Sequence, residues 1–215
     1  DTLPGSFKED NYKFVQRDLT LKPIKPTLDG EPSYEGIPHG LHDTLQPLWK
    51  ASDVRRYGYW SVFAGAAGYT YGHNAVMQMF RKGDKPAYGN KVFWYDAIKA
   101  PGAGQMVYLK KLLLSFPYFD RVPDPSLVAN QGEKYNYLAT SRGKDYALIY
   151  TYNGRKIAVN MGKIVGLTLT ASWYNPRNGV TTKIGQVPNK GIQEFQPTGK
   201  KEDGNDWVLI LKSQK

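Results

Sequence analysis

Apolar positions recur with two different rhythms along the chain, and the change falls near residue 116. In residues 11–22, NYKFVQRDLTLK, the side chains of Tyr12, Phe14, Val15, Leu19 and Leu21 fit a short helix that Pro23 ends. IKPTLDGE then reads as a short buried strand. In the run from Ser52 to Gly65, Ser52 stands where a capping hydroxyl belongs and Asp53 suits the positive end of a helix. Val54, Tyr57, Trp60, Val62 and Phe63 supply its apolar face, and Gly65 is a natural stop. AAGYTYG predicts a tightly packed strand closing in a glycine turn. QMVYLKKLLLSF predicts a further helix with Met106, Val107, Leu109, Leu112, Leu113 and Phe116 facing inward. Helix, strand, helix, strand, helix is the alternation of an α/β layer or barrel.

After Pro117 the pattern shifts to short β-type runs: YNYLAT, DYALIYTY, KIAVNM, GLTLTASWY, VTTKIG, IQEF and DWVLIL. Asn153-Gly154 and Asn178-Gly179 lie between such runs and favour hairpin turns, because both residue types tolerate positive φ. The expected organisation is an α/β part over residues 1–116 and an antiparallel β-sandwich over residues 117–215. Two or three βα units cannot close a sheet, and they leave apolar faces and strand edges open. The first part is therefore expected to be completed by an N-terminal remainder, in the same protein or in a separate chain. The opening DTLPGSFKEDN has no initiator methionine and no leader pattern, and it reads as the start of a mature product or of a piece of something longer.

Composition narrows the classes of function. Hydrophobic residues at 40% and aromatics at 13% fit a globular protein. The net charge of +10 is spread: residues 1–115 carry 15 basic against 11 acidic groups, and residues 116–215 carry 14 against 8. No basic run exceeds two residues and no nucleic-acid-binding signature occurs, so nucleic acid is not an expected partner. No apolar run approaches the roughly 20 residues that cross a bilayer, and no membrane span is expected. The absence of cysteine excludes disulfides, thiolate catalysis and Cys-based zinc sites. His39, His42 and His73 show no metal-binding spacing, and no nucleophile elbow, phosphate loop or dinucleotide fingerprint occurs. Neither a metal nor a cofactor is expected.

The candidate chemistry centres on LDGEPSYEGIP, residues 28–38. Glu31 would end a strand and Glu35 would lie in the loop after it, on the face where parallel α/β barrels carry their active sites. Helix starts on that face bring in Arg55 and Arg56, and the end of the next strand adds Tyr69, Tyr71, His73 and Asn74. Two carboxylates on one rim suit glycosidic cleavage, in which one attacks or acts as base and the other donates a proton. Each residue also fits a plainer role: a solvated loop for the glutamates, backbone satisfaction for His73 and Asn74, an ion pair for Arg55, core for Tyr57 and Trp60. Trp94 fits either a sugar-stacking platform or a buried anchor.

KPTLDGEPSYEG, DVRRYGYWSVFAGAAGYTYGHNAVMQMF and PGAGQMVYLKKLL, in that order, resemble the last third of the apiosidase-like glycoside hydrolase family. YALIYTYNGRKIAVNM, ASWYNPRNG and DWVLIL are similar to the β-sandwich that follows those barrels and carries a collagen-binding label. The resemblance implies the C-terminal portion of a (β/α)8 TIM barrel followed by the sandwich, with strand seven ending at Glu31 and strand eight running through AGYTYG. It implies Glu31 as nucleophile, with Tyr34, Glu35, Arg55, Tyr71 and His73 around a sugar pocket. The proton donor would come from strand four, which this chain does not contain, so the chain alone is expected to be inactive. It further implies an oligo- or polysaccharide substrate from plant cell-wall side chains, retention of configuration, and a periplasmic or cell-surface location in bacteria. The alternative from a different class is a non-catalytic glycan- or matrix-binding module using Tyr135, Tyr137, Tyr150, Tyr152, Trp173 and Tyr174.

Overall fold

The structure, a computed structural model, describes residues 10–214. Residues 1–9, most of the opening stretch read above, lie outside the described residues. The first part runs α1 (Asn11–Asp18), β1 (Leu28–Asp29), β2 (Pro38–Gly40), β3 (Asp43–Leu48), α2 (Ala51–Phe63), β4 (Gly68–Tyr69), α3 (Asn74–Met77), α4 (Trp94–Ala97) and α5 (Pro101–Leu114). The second part is β-rich, with β5 (Val122–Pro123), β6 (Leu138–Arg142), β7 (Tyr146–Thr151), β8 (Ile157–Asn160), β9 (Thr168–Tyr174), β10 (Thr181–Pro188), β11 (Ile192–Phe195) and β12 (Trp207–Ser213).

β1 and β4 pair in parallel, Leu28 opposite Gly68 and Asp29 opposite Tyr69, with α2 as the crossover between them. This βαβ unit is the architecture the alternating pattern predicts. The strand expected over IKPTLDGE is shorter and less buried than its apolar content suggests: only two residues pair, and Leu28 is 63% exposed. Its other edge has no strand neighbour among the described residues. Ser52 is not the cap of α2. The helix begins at Ala51, with Lys50 at the N-cap position two residues before Ser52, and Asp53 takes the capping role by accepting the Lys50 N–H at 2.9 Å. Gly65 ends the helix with φ of +114°, as expected. In α5, Leu109, Leu112 and Leu113 are buried as predicted, but Val107 faces outward. The hairpin β2–β3 and the one-turn helices α3 and α4 carry no helical or strand period in the sequence long enough to announce them.

All seven β-type runs of the second part form strands. Six strands, in the order β10-β9-β12-β7-β6-β5, make one antiparallel sheet, and β8 pairs with β11 beside it. Asn178-Gly179 joins the paired strands β9 and β10, a hairpin as expected. Asn153-Gly154 does not make a hairpin, since β7 leads across to β8 in the other sheet. Alternation along the strands divides the sheet's two faces. Ile149, Leu169, Ala171, Leu209 and Leu211 point to a core shared with Ile157, Val159 and Phe195 of β8 and β11.

The opposite face, with Tyr146, Leu148, Tyr150, Val208 and Ile210, packs on helices α2 and α5 of the first part. One aromatic core therefore runs through both parts. Tyr59 of α2 stacks on Tyr150 of β7 at 4.6 Å between ring centroids, and Tyr12 of α1 stacks on Tyr137 at 3.7 Å. Of the aromatics proposed as a binding platform, Tyr137, Tyr150, Tyr152, Trp173 and Tyr174 are buried in these cores.

Helix α2 is buried on every side, not on one stripe, and its two arginines are part of that burial. Arg55, 4% exposed, donates from Nε and Nη2 to the two oxygens of Asp206 at 2.8 Å each, and from Nη1 to Gln105 at 2.5 Å. Tyr150 donates to the same aspartate at 3.2 Å. Burial disfavours the guanidinium charge, and Asp206 more than compensates, so Arg55 is held above its ordinary pKa. Arg56 lies within 5.1 Å of the ring centres of Tyr57, Trp60, Tyr135 and Tyr152, with Asp53 Oδ1 at 3.7 Å.

Asp206→Asn leaves a buried guanidinium facing a neutral amide and should lower unfolding free energy by about 3–5 kcal/mol. Replacing both partners with apolar residues, Arg55→Met with Asp206→Leu, should cost much less. Chemical denaturation of the three proteins measures the difference.

Candidate active site

The parallel pairing of β1 and β4 resumes beyond the strand ends. Glu35 N–H donates to the Gly72 carbonyl and Asn74 N–H to the Glu35 carbonyl, both at 2.9 Å, and Glu35 and His73 form an isolated parallel bridge. The loops after β1 and β4 are thereby laced together at the C-terminal ends of the strands. The N-termini of α2 and α5 open onto the same rim.

Glu35 is 8% exposed, and its Oε2 accepts the Tyr71 hydroxyl at 2.7 Å and the Gly102 N–H at 3.0 Å. Gly102 is the second residue of α5, so the carboxylate takes one of the helix's unpaired N–H groups at its positive end. A Cβ on Gly102 would stand 2.3 Å from Glu35 Oε2, which only glycine avoids. Burial, followed by the hydrogen bond to Glu35, pushes the Tyr71 phenol far above its usual pKa, so Tyr71 stays a donor.

His73 is also buried. Its Nδ1 accepts the Ala75 N–H at 3.1 Å and caps α3, which places the proton of the neutral ring on Nε2. Burial lowers its pKa, and the nearby charge of Glu35 counters this only in part. Glu35, His73, Trp49, Lys50, Asp96 and Lys99 line a cleft of about 770 Å³. Trp49 forms its floor, stacked on His39 at 3.7 Å.

Glu31 and Tyr34 stand apart from that cleft. Glu31 is exposed, two residues past β1, and its Oε1 accepts the Tyr34 hydroxyl at 3.3 Å. Tyr34 in turn lies flat against Gly72, where a Cβ would come within 2.4 Å of its ring. The structure thus brings Glu35, Tyr71 and His73 together, and sets Glu31 with Tyr34 on the adjoining part of the rim.

Arg55 is the clear correction. It was expected at the sugar pocket, yet it is 4% exposed and its fork is engaged in the interior by Asp206, Gln105 and the Gly204 carbonyl. Trp94 is half-buried beside Tyr95 at the start of α4. Sequence reasoning missed Gly102 and Trp49. Pro101-Gly102 did carry a signal, since proline favours the first position of a helix. Among the described residues, no group of three or more His, Cys, Asp or Glu side chains is arranged to hold a metal ion. No helix there is long and apolar enough to cross a membrane.

The family model "Apiosidase-like, catalytic domain" matches residues 4–120, and "Putative collagen-binding domain of a collagenase" matches residues 122–212. Two solved structures superpose over essentially the whole chain. One, described as a glycoside hydrolase, is 48% identical with a TM-score of 0.95, and the match covers 100% of this chain and 48% of that one. The other, a glycoside hydrolase family 5 protein from Bacteroides vulgatus ATCC 8482, is 43% identical with a TM-score of 0.95, covering 99% and 46%. The chain therefore spans about half the length of the solved structures it matches. Comparison with curated proteins gives no match.

The lowered pKa of His73 sets a pH dependence. Its folded pKa lies below the ordinary 6.5, so the unfolded chain binds the proton more readily. Stability should fall as pH drops through 6.5 and level off below the folded pKa. His73→Asn, which keeps a capping acceptor, should flatten that part of the profile when melting temperature is followed against pH.

Proposed function

Since the chain belongs to the apiosidase-like glycoside hydrolase family, we propose that it is the closing portion of a (β/α)8 barrel whose Glu31 attacks the anomeric carbon of a glycan. In this reading β1 and β4 are strands seven and eight, residues 1–116 are barrel, and residues 117–215 are a sandwich that buttresses it. The observation that carries it is the parallel pair itself: Glu31 follows the C-terminal end of β1, while Tyr71 and His73 follow the same end of β4. The open edges of that pair, and the exposed Leu21, Ile24 and Leu28 around it, suit cover by an N-terminal remainder.

Tyr34 holds Glu31 Oε1, and Oε2 has no protein donor among the described residues. Oε2 would form the bond to the anomeric carbon as the leaving oxygen departs with a proton from an acid on the remainder of the barrel. Water would then cleave the glycosyl ester, giving net retention. Glu35, tied to α5 and Tyr71, shapes the rim and does not react. The substrate is a plant cell-wall polysaccharide side chain, met in the periplasm or at the cell surface.

In the full-length protein, Glu31→Gln should lower release of sugar from such side chains by about 10³-fold or more, the scale expected for loss of a covalent nucleophile. Glu35→Gln should mainly lower the melting temperature. Near-normal turnover by Glu31→Gln would overturn the assignment, and the 215-residue chain assayed alone should show no turnover.

A further inference from the structure

Helix α5 covers only part of the sheet face it packs on. Beyond its edge, a second cleft of about 620 Å³ opens between α5 and strands β9, β10 and β12, away from the rim described above. Its floor is polar by construction. On β9, Leu169, Ala171 and Trp173 turn to the opposite core, which leaves Thr170 and Ser172 on this face. Thr181 of β10 lies beside Tyr174, and Lys212 of β12 pairs across from Thr170. The hairpin at Asn178-Gly179 closes one end against the ring of Tyr108, whose carbonyl accepts the Tyr174 hydroxyl at 2.8 Å.

Two ammonium groups border this cleft and, among the described residues, no carboxylate lines it. Lys111 extends from α5, and Lys212 is held over the ring of Phe116 at 5.8 Å. Neither has an ion-pair partner among the described residues, although several lysines and arginines elsewhere do. A concave, hydroxyl-lined floor with uncompensated positive charge and ring edges on one wall matches a sugar that carries a carboxylate. Phosphate chains are a poorer match, since no arginine fork or helix N-terminus faces the cleft.

We propose that this cleft is a secondary binding site for an acidic oligosaccharide, in which Lys111 and Lys212 take uronate carboxylates and Thr170, Ser172, Thr181 and Asn178 meet ring hydroxyls. It rests on the reading of the protein as acting on glycans, but not on Glu31. Its role is to hold an acidic polysaccharide while the rim works on another part of it.

The test is calorimetric titration of the full-length protein with a galacturonate hexamer, its carboxyl-reduced counterpart and a sulfated chain of similar length. The hexamer should bind, about tenfold more weakly at physiological salt than at low salt because the groups are exposed. Reduction of its carboxyls should abolish binding. Lys111→Ala with Lys212→Ala should weaken binding at least tenfold, and Ser172→Trp, which fills the floor, should do the same without changing charge. Both variants should keep the melting temperature and the turnover of a small neutral glycoside. Absence of hexamer binding, binding unchanged in both variants, or equal binding of the sulfated chain would overturn the proposal. Glu31→Gln should retain hexamer binding, so failure of the nucleophile assignment and failure of this site are read separately.

Discussion

Two consecutive arginines in the middle of one helix hold this structure together. Neighbouring residues on a helix point about 100° apart, so Arg55 and Arg56 must find separate partners once α2 is buried all round. Arg55 finds Asp206 across from it, in a bidentate geometry that suits a planar guanidinium, and Arg56 finds a box of four rings closed by Asp53. Lysine could serve neither place equally, having no flat face to stack and no fork. Asp53 is shared: it caps the helix through Lys50 N–H, receives the Tyr152 hydroxyl at 3.1 Å and faces Arg56. The start of α2, which borders the cleft, is thus fixed by groups next to the strand ends of the second part, Tyr135, Tyr152 and Asp206.

The two glutamates of residues 28–38 show how one residue type is held in two different settings within a few positions. Glu35 is enclosed, engaged by a phenol and a helix N-terminus, and its surroundings leave it little freedom. Glu31 is in water with one oxygen lightly held. Tyr34 joins the two settings by packing on Gly72 in the laced loops while donating to Glu31.

Much of the fold was legible because its signals are local. The seven β-type runs, the stop at Gly65 and the apolar period of α5 depend on residues near one another in sequence. The βαβ unit was legible as alternation, but the extent of its strands was not, because IKPTLDGE is apolar enough to be buried and lies at an open edge. Arg55 was misplaced for a related reason. Position on a helix start suggested the rim, while its true direction is decided by Asp206, 151 residues away. The family resemblance supplied Glu31, Tyr34, Glu35, Arg55, Tyr71 and His73 as a group. What it could not supply was the division of that group, which follows from burial and from Gly102, a residue with no side chain to notice.

The aromatic core that runs from Tyr12, Tyr59 and Trp60 to Tyr137, Tyr146 and Tyr150 bears on how such a protein can change over generations. Modules that meet through a small polar contact can be shuffled between genes and keep their fold. Here the strands and the helices each supply half of a single interior, and an ion pair lies inside it. A recombination that carried the strands to a new neighbour would leave a broad tyrosine-rich face uncovered and Asp206 with only the more distant Arg177, at 3.6 Å, in place of the bidentate Arg55.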